Sequence, residues 1–206
     1  MIIRKLFKLL QRVYRHYTRE DVDSNQWKQL LNHVGEKSMI HYPAIISVDG
    51  CFSIGDDTTI LSNSRIQNYG ANAANTPPHG QFGVFIGDRC YIGYYFSVLN
   101  ASIVIIGDDV LIASHVLISS ENHGIDPEVD VPYMSQPLVS KPVIIGDGCW
   151  IGEKVCILPG VSIGKKCVIG AGSVVTKSIP AYSIAVGNPA KVIKKFNFET
   201  HNWEKV

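Results

Sequence analysis

The sequence predicts an all-β protein, a solenoid of short parallel strands. Three observations point to it. Large aliphatic residues recur every sixth position: Ile145, Ile151, Ile157, Ile163, Ile169 and Val175 form an unbroken series. The same register appears at Val48, Ile54, Ile60 and Ile66, at Ile86, Ile92 and Val98, and at Ile106, Ile112 and Ile118. Glycine follows the aliphatic residue at Gly55, Gly87, Gly93, Gly107, Gly146, Gly152, Gly164 and Gly170. Four places after the aliphatic residue stands a small or β-branched group: Cys90, Val110, Val116, Cys149, Val155, Val161, Cys167 or Ser173. A period of six fits neither the 3.6 of a helix nor the 2 of an ordinary sheet. It fits a triangular coil in which each hexad is one strand and one turn. The aliphatic side chain points inward, the glycine is expected at a corner of unusual φ, and the small residue fills the interior.

Composition agrees with a folded core. The chain has 206 residues, 46% apolar and 18% charged, with a net charge of +1. Disordered and collagen-like chains are excluded. No apolar run reaches the ~18–20 residues needed to span a bilayer, and Arg4, Lys5, Lys8 and Arg12 interrupt any signal-peptide core. Five cysteines without a Cys-x-x-Cys pair indicate neither a disulfide scaffold nor a zinc ribbon, so a reduced, cytoplasmic setting is expected. Their place in the repeat explains Cys90, Cys149 and Cys167 as compact core residues.

Residues 1–40 stand apart. Arg4, Lys5, Lys8, Arg12, Arg15 and Arg19 give the first nineteen residues +6, interleaved with apolar residues at helical spacing. The segment reads as a basic amphipathic helix packed on the protein body, with peripheral contact to an anionic membrane as the alternative. A second short, polar helical stretch is expected from Thr18 to Glu36. Six cations without an aromatic-rich groove make no case for nucleic acid. The expected organisation is therefore a helical segment over 1–40, a solenoid over 41–192 and a tail over 193–206. Loops at 67–83 and 119–142 break the repeat. The second separates Ile118 from Ile145 by 27 residues where the repeat needs 6, and regular scaffolds carry function at such interruptions.

From Ile86 to Val192 the chain resembles the hexapeptide-repeat acyltransferases, which fold as a left-handed parallel β-helix. The ending Gly170-Ala-Gly-Ser-Val-Val-Thr-Lys-Ser-Ile-Pro, then Ala185-Val-Gly-Asn-Pro-Ala-Lys-Val-Ile, is similar to that of galactoside and maltose O-acetyltransferases. The resemblance implies an acetyl-CoA-dependent O-acetyltransferase acting on a saccharide, without a metal, as a homotrimer with active sites between chains. His123 lies sixteen residues after Gly107, the offset of the family's catalytic histidine. An alcohol is a poor nucleophile until its proton is removed, and imidazole titrates in the range such a base requires. Asp126 or Glu121 is a candidate to orient it, as is a backbone carbonyl.

The resemblance carries cofactor contact, residue by residue, onto Trp150, Glu153, Ala171, Thr176 and Lys177. Lys191 and Lys194 fall where two arginines normally meet the nucleotide phosphates, and lysine keeps the charge without the bidentate fork. Glu153 replaces a small hydroxyl residue. Asn100 stands within about one residue of a family asparagine that positions the reactants. His115 reads as an exposed corner residue, and His16, His33, His41, His79 and His201 have no motif around them. Three other functions fit parts of the pattern. They are an N-acetyltransferase acting on an amino-sugar nucleotide, a three-histidine zinc hydro-lyase of the carbonic anhydrase type, and a catalytically silent trimeric scaffold.

Overall fold

A computed structural model describes residues 22–23, 32–46, 51–69 and 82–206. The expected basic helix over 1–19 and, of the expected loop at 67–83, residues 70–81 with His79 lie outside the described residues. The coil has three faces. Face A contains Met39–Ile40, Thr59–Ile60, Tyr91–Ile92, Leu111–Ile112, Trp150–Ile151, Val168–Ile169 and Ser183–Val186 in stacked order. Face B stacks His33–Val34, Cys51–Ile54, Gly83–Ile86, Ile103–Ile106, Val143–Ile145 and Ser162–Ile163. Face C stacks Ala44–Ile46, Ser64–Asn68, Ser97–Asn100, Leu117–Ser119, Cys156–Ile157 and Val174–Val175. All these neighbours pair in parallel, and the register places like on like: Ile92 on Ile112 on Ile151 on Ile169. The chain runs B to A to C, and we call the turns the first (B to A), second (A to C) and third (C to B) corners.

The aliphatic series fills the axis. Ile92, Ile112, Ile118, Ile151 and Ile157 are wholly buried, and so are Phe96, Val116 and Cys167. Each such side chain contributes about 1.5–3 kcal/mol on leaving water. At the first corner, Ser38 Oγ, Thr58 Oγ1, Cys90 Sγ, Cys149 Sγ and Cys167 Sγ donate to carbonyls of the coil above. This explains why a small residue with a hydroxyl or thiol suits that place. Val110 interrupts the series. All five cysteines are free, and burial pushes the Cys90 thiol up.

Three expectations are corrected. The glycines after the aliphatic residues do not adopt positive φ; they are required by close approach. A Cβ at Gly93, Gly146 or Gly152 would meet the backbone nitrogen of Ser114, Lys165 or Ala171 at 2.6–2.7 Å. The left-handed backbone falls two residues later, at Asp57, Arg89, Tyr95, Asp109, Lys154 and Lys166. The described part of Thr18–Glu36 is also not helical. Val22–Asp23 pairs antiparallel with Met39–Ile40, and His33–Val34 pairs parallel with Cys51–Ile54, so stacked coils begin ahead of residue 41. Val34 and Ile40 are six apart and buried, which makes them members of the hexad series. At the other end Lys191–Asn197 and Asn202–Lys205 add an antiparallel hairpin to face A, and Phe196, Phe198 and Trp203 cluster on it. The residues expected as a tail are thus the last two strands of that face.

Candidate functional site

Both departures from the repeat leave the third corner. The lower one opens after Ser64–Asn68 and closes at Gly83–Ile86. The upper one opens after Leu117–Ser119 and closes at Val143–Ile145. One uninterrupted turn, Asn100–Ser102, lies between them. It receives the Tyr69 N–H on the Asn100 carbonyl and the Gly83 N–H on the Ser102 carbonyl (3.0 Å) from below. Ser120 N–H donates to the Leu99 carbonyl (2.9 Å) from above.

That turn is polar and buried. Asn100, Ser102, Ser119 and Ser120 are all at most 8% exposed. Asn100 Oδ1 accepts from the Ser102 N–H (3.0 Å) and the Ser120 hydroxyl (3.0 Å), and Ser120 Oγ accepts from the Ala101 N–H (3.1 Å). Asn100 therefore faces the coil interior instead of the outer surface where reactants would meet, because it occupies the inward phase of Ser97–Asn100. It braces the root of the upper loop. Among the described residues, Asn100 Nδ2 and Glu121 Oε2 are the buried side-chain polar atoms without a hydrogen-bond partner.

The upper excursion starts as a two-stranded ribbon. Glu121–Asn122 pairs antiparallel with Val139–Ser140, in the register Glu121 with Ser140 and Asn122 with Val139. Continued one step, this register puts His123 opposite Leu138. The ribbon is held at its far end by Gln136, whose Oε1 accepts from the Asp126 N–H (3.0 Å) and whose Nε2 donates to the Asp126 carbonyl (2.8 Å). Gly124 is needed here, since a Cβ would stand 2.8 Å from Gln136. Gln136 and Leu138 are buried, whereas His123 is exposed. Beyond the clamp, Ile125 and Met134 are each 81% exposed. Sequence reasoning missed the Gln136 clamp, for a single glutamine in a proline-rich loop carries no signal. The Ser119-Ser120 pair directly after Ile118 was the better clue to a changed corner.

The positions carried over for the cofactor divide into two groups. Thr176 and Lys177 are exposed on the third corner, above the excursion. Glu153 and Ala171 are exposed on the second corner, and Trp150 stands on the outside of face A beside Leu111 and Tyr91. Lys191 and Lys194 lie on the strand Lys191–Asn197, paired to Val186 and Ile184. Face C separates the two corners, so one chain does not bring these residues together. Glu153 also ties coil to coil, because its Oε2 accepts the Ser114 N–H of the coil below (3.1 Å). His115 is an exposed second-corner residue with φ 60, its ring stacked on Tyr95 at 4.7 Å. Among the described residues, no three His, Cys, Asp or Glu side chains are gathered as a metal site, and no helix is long and apolar enough to cross a membrane.

Comparison with known proteins fits this geometry. A family model described as hexapeptide repeat of succinyl-transferase matches residues 142–177. The chain is 37% identical over 173 residues to an Escherichia coli K12 protein whose assignment as the lipopolysaccharide biosynthesis O-acetyl transferase WbbJ is itself provisional. That match covers 81% of this chain and 83% of the relative. It is 40% identical to the E. coli K12 galactoside O-acetyltransferase, over 66% of this chain and 68% of that one. A solved galactoside acetyltransferase in complex with coenzyme A superposes with a TM-score of 0.61 at 28% identity, covering 93% of this chain and 81% of that one. AntD, an N-acyltransferase from Bacillus cereus, superposes with a TM-score of 0.73 at 21% identity, covering 88% and 94%. That likeness speaks for the fold alone.

Proposed function

The chain belongs to the hexapeptide-repeat acyltransferases, with the left-handed parallel β-helix of that family, and from this premise we propose how it works as an acetyltransferase. It moves the acetyl group of acetyl-CoA to a hydroxyl of a saccharide, with His123 as general base. The observation that carries the proposal is the position of His123. It is an exposed imidazole on an anchored ribbon, at the corner where both breaks in the repeat open. The neutral imidazole takes the hydroxyl proton as the oxygen attacks the thioester carbonyl. The tetrahedral intermediate then collapses, the C–S bond breaks, and the imidazolium returns its proton to the thiolate. A silent scaffold and a zinc hydro-lyase do not accord with relatives that are acetyltransferases.

The divided cofactor set supports a site shared between copies. A homotrimer would set the second corner of one chain against the third corner of the next and join the two groups across one groove. Thr176, Lys177, Ala171 and Glu153 would line it, and Lys191 and Lys194 would meet the nucleotide phosphates as point charges. Sedimentation of a stable monomer at micromolar concentration would exclude the shared site. An oxygen acceptor is supported by the two O-acetyltransferase relatives at 37% and 40% identity. Coenzyme A release is expected with neutral oligosaccharides and not with amino-sugar nucleotides or serine. The reverse order of rates would favour N-acetylation.

A further inference from the structure

We propose that Glu121 is the positioning residue for His123, accepting an imidazole N–H on its buried Oε2. The proposal rests on His123 being the base. Three independent features of the ribbon lead to it. First, alternation in the ribbon puts Glu121, Ser140 and Leu138 in one phase and the exposed pair Asn122 and Val139 in the other, and the buried Leu138 shows that the first phase turns to the protein body. His123 is the next residue in the phase of Glu121, about 6.6 Å further along an extended strand, which two medium-length side chains can bridge.

Second, the Glu121 main chain is fixed at both its polar groups. Ser119 Oγ donates to the Glu121 carbonyl (2.6 Å) and accepts from the Glu121 N–H (3.3 Å). Ser119 is itself 8% exposed and sits on the wall of the coil. A carboxylate on so fixed a stem is already oriented. Third, Glu121 Oε2 is buried and has no donor. A buried carboxylate oxygen without a donor bears its desolvation cost uncompensated, and His123 carries a ring N–H donor in the same phase of the strand. An ionised carboxylate there selects the tautomer whose other nitrogen faces the acceptor hydroxyl, and it stabilises the imidazolium formed during attack.

The remaining charges around the ribbon are Lys141, which follows Ser140, and Asp126, whose Oδ1 accepts from the Glu128 N–H (2.9 Å). Glu128 and Asp130 lie toward the tip. Beneath it the coil presents uncharged Asn100, Ser102, Ser119 and Ser120. Glu121 is therefore the carboxylate to remove. In the full-length enzyme, Glu121→Gln is expected to lower kcat about 10- to 100-fold with KM for acetyl-CoA within twofold. The acid limb of its pH–rate profile is expected to move about one unit lower, as loss of a neighbouring anion requires. Glu121→Asp should recover part of the rate. A wild-type kcat and an unmoved limb in Glu121→Gln would overturn the proposal. So would a lost rate with a lowered Tm and an unmoved limb, which is the mark of a brace. If instead His123→Ala keeps its turnover, the assignment of the base falls, and this proposal with it.

Discussion

The first and third corners of this coil are used in opposite ways. At the first corner, Asp56, Asp88, Asp108 and Asp147 stack, and each Oδ1 accepts a main-chain N–H from the coil below: Glu36, Asp56, Asp88 and Asp108 in order. Arg89 spans Asp88, Asp108 and Asp109, closest to Asp109 at 2.7 Å. Like charges one strand spacing apart would repel; the N–H donors and the guanidinium offset that. Polar groups here are consumed in holding coil to coil. At the third corner Asn100 and Glu121 keep buried polar atoms without partners, and the chain leaves the coil twice. Regular corners hold the protein together, and the irregular one leaves polar groups unspent.

Substitutions can break or sharpen this contrast. The largest effect is expected at the third corner. His123→Ala should cut turnover about 10²- to 10⁴-fold, as loss of a positioned general base does, with Tm and acetyl-CoA binding unchanged because the residue is exposed and outside the core. His115→Ala, on the second corner, is the control, and should stay within a few-fold of wild type. If the two exchange roles in a steady-state assay, the contrast is misplaced. Next comes the axis: Ile151→Ala should cost about 2–5 kcal/mol in chemical denaturation, through lost burial and the cavity left behind.

Asp108→Ala should cost about 1–2 kcal/mol by stripping the Asp88 N–H of its acceptor, while the specific activity of the folded protein is retained. A fall in activity larger than the fall in stability would mean that the first corner also serves the site. The smallest effect is the pH response of Asp109. The hydrogen bond from Arg89, then its charge, lowers the Asp109 pKa. A depressed carboxylate stabilises fully above its unfolded value near ~4 and loses that contribution as pH falls through the folded value. Arg89→Met should therefore flatten stability in the acid range, slightly, since both groups are half exposed and screened by salt.

The period of six made the solenoid legible, because each buried aliphatic residue reports the same environment. Val34 and Ile40 escaped because the polar residues around them, Glu36 and Lys37, read as a helix surface when the first coil's partner is unseen. The glycines were found for the wrong reason. A sequence shows that a residue is small but does not say whether φ or a neighbouring chain demands it. At the candidate site, His123 was singled out by the offset from Gly107 that the family resemblance implies. The interior phase of Asn100 was not legible, since a polar residue in a strand reads as outward until its bonds to Ser102 and Ser120 are known. The separation of the carried-over cofactor positions onto two corners is a property of winding, which no linear spacing records.

The upper excursion has one more consequence, in chain entropy. In an uninterrupted coil Asp88 and Asp108 stack 20 residues apart; across the excursion Asp108 and Asp147 are 39 apart. Doubling a loop raises the cost of closing it by only about 0.6 kcal/mol, less than one buried isoleucine returns. At a corner whose flanking coils are already stacked, inserted chain is thermodynamically almost free. The protein can lengthen, shorten or rewrite the segment that carries His123 without endangering the scaffold beneath, which makes this corner the one where the chain is freest to vary.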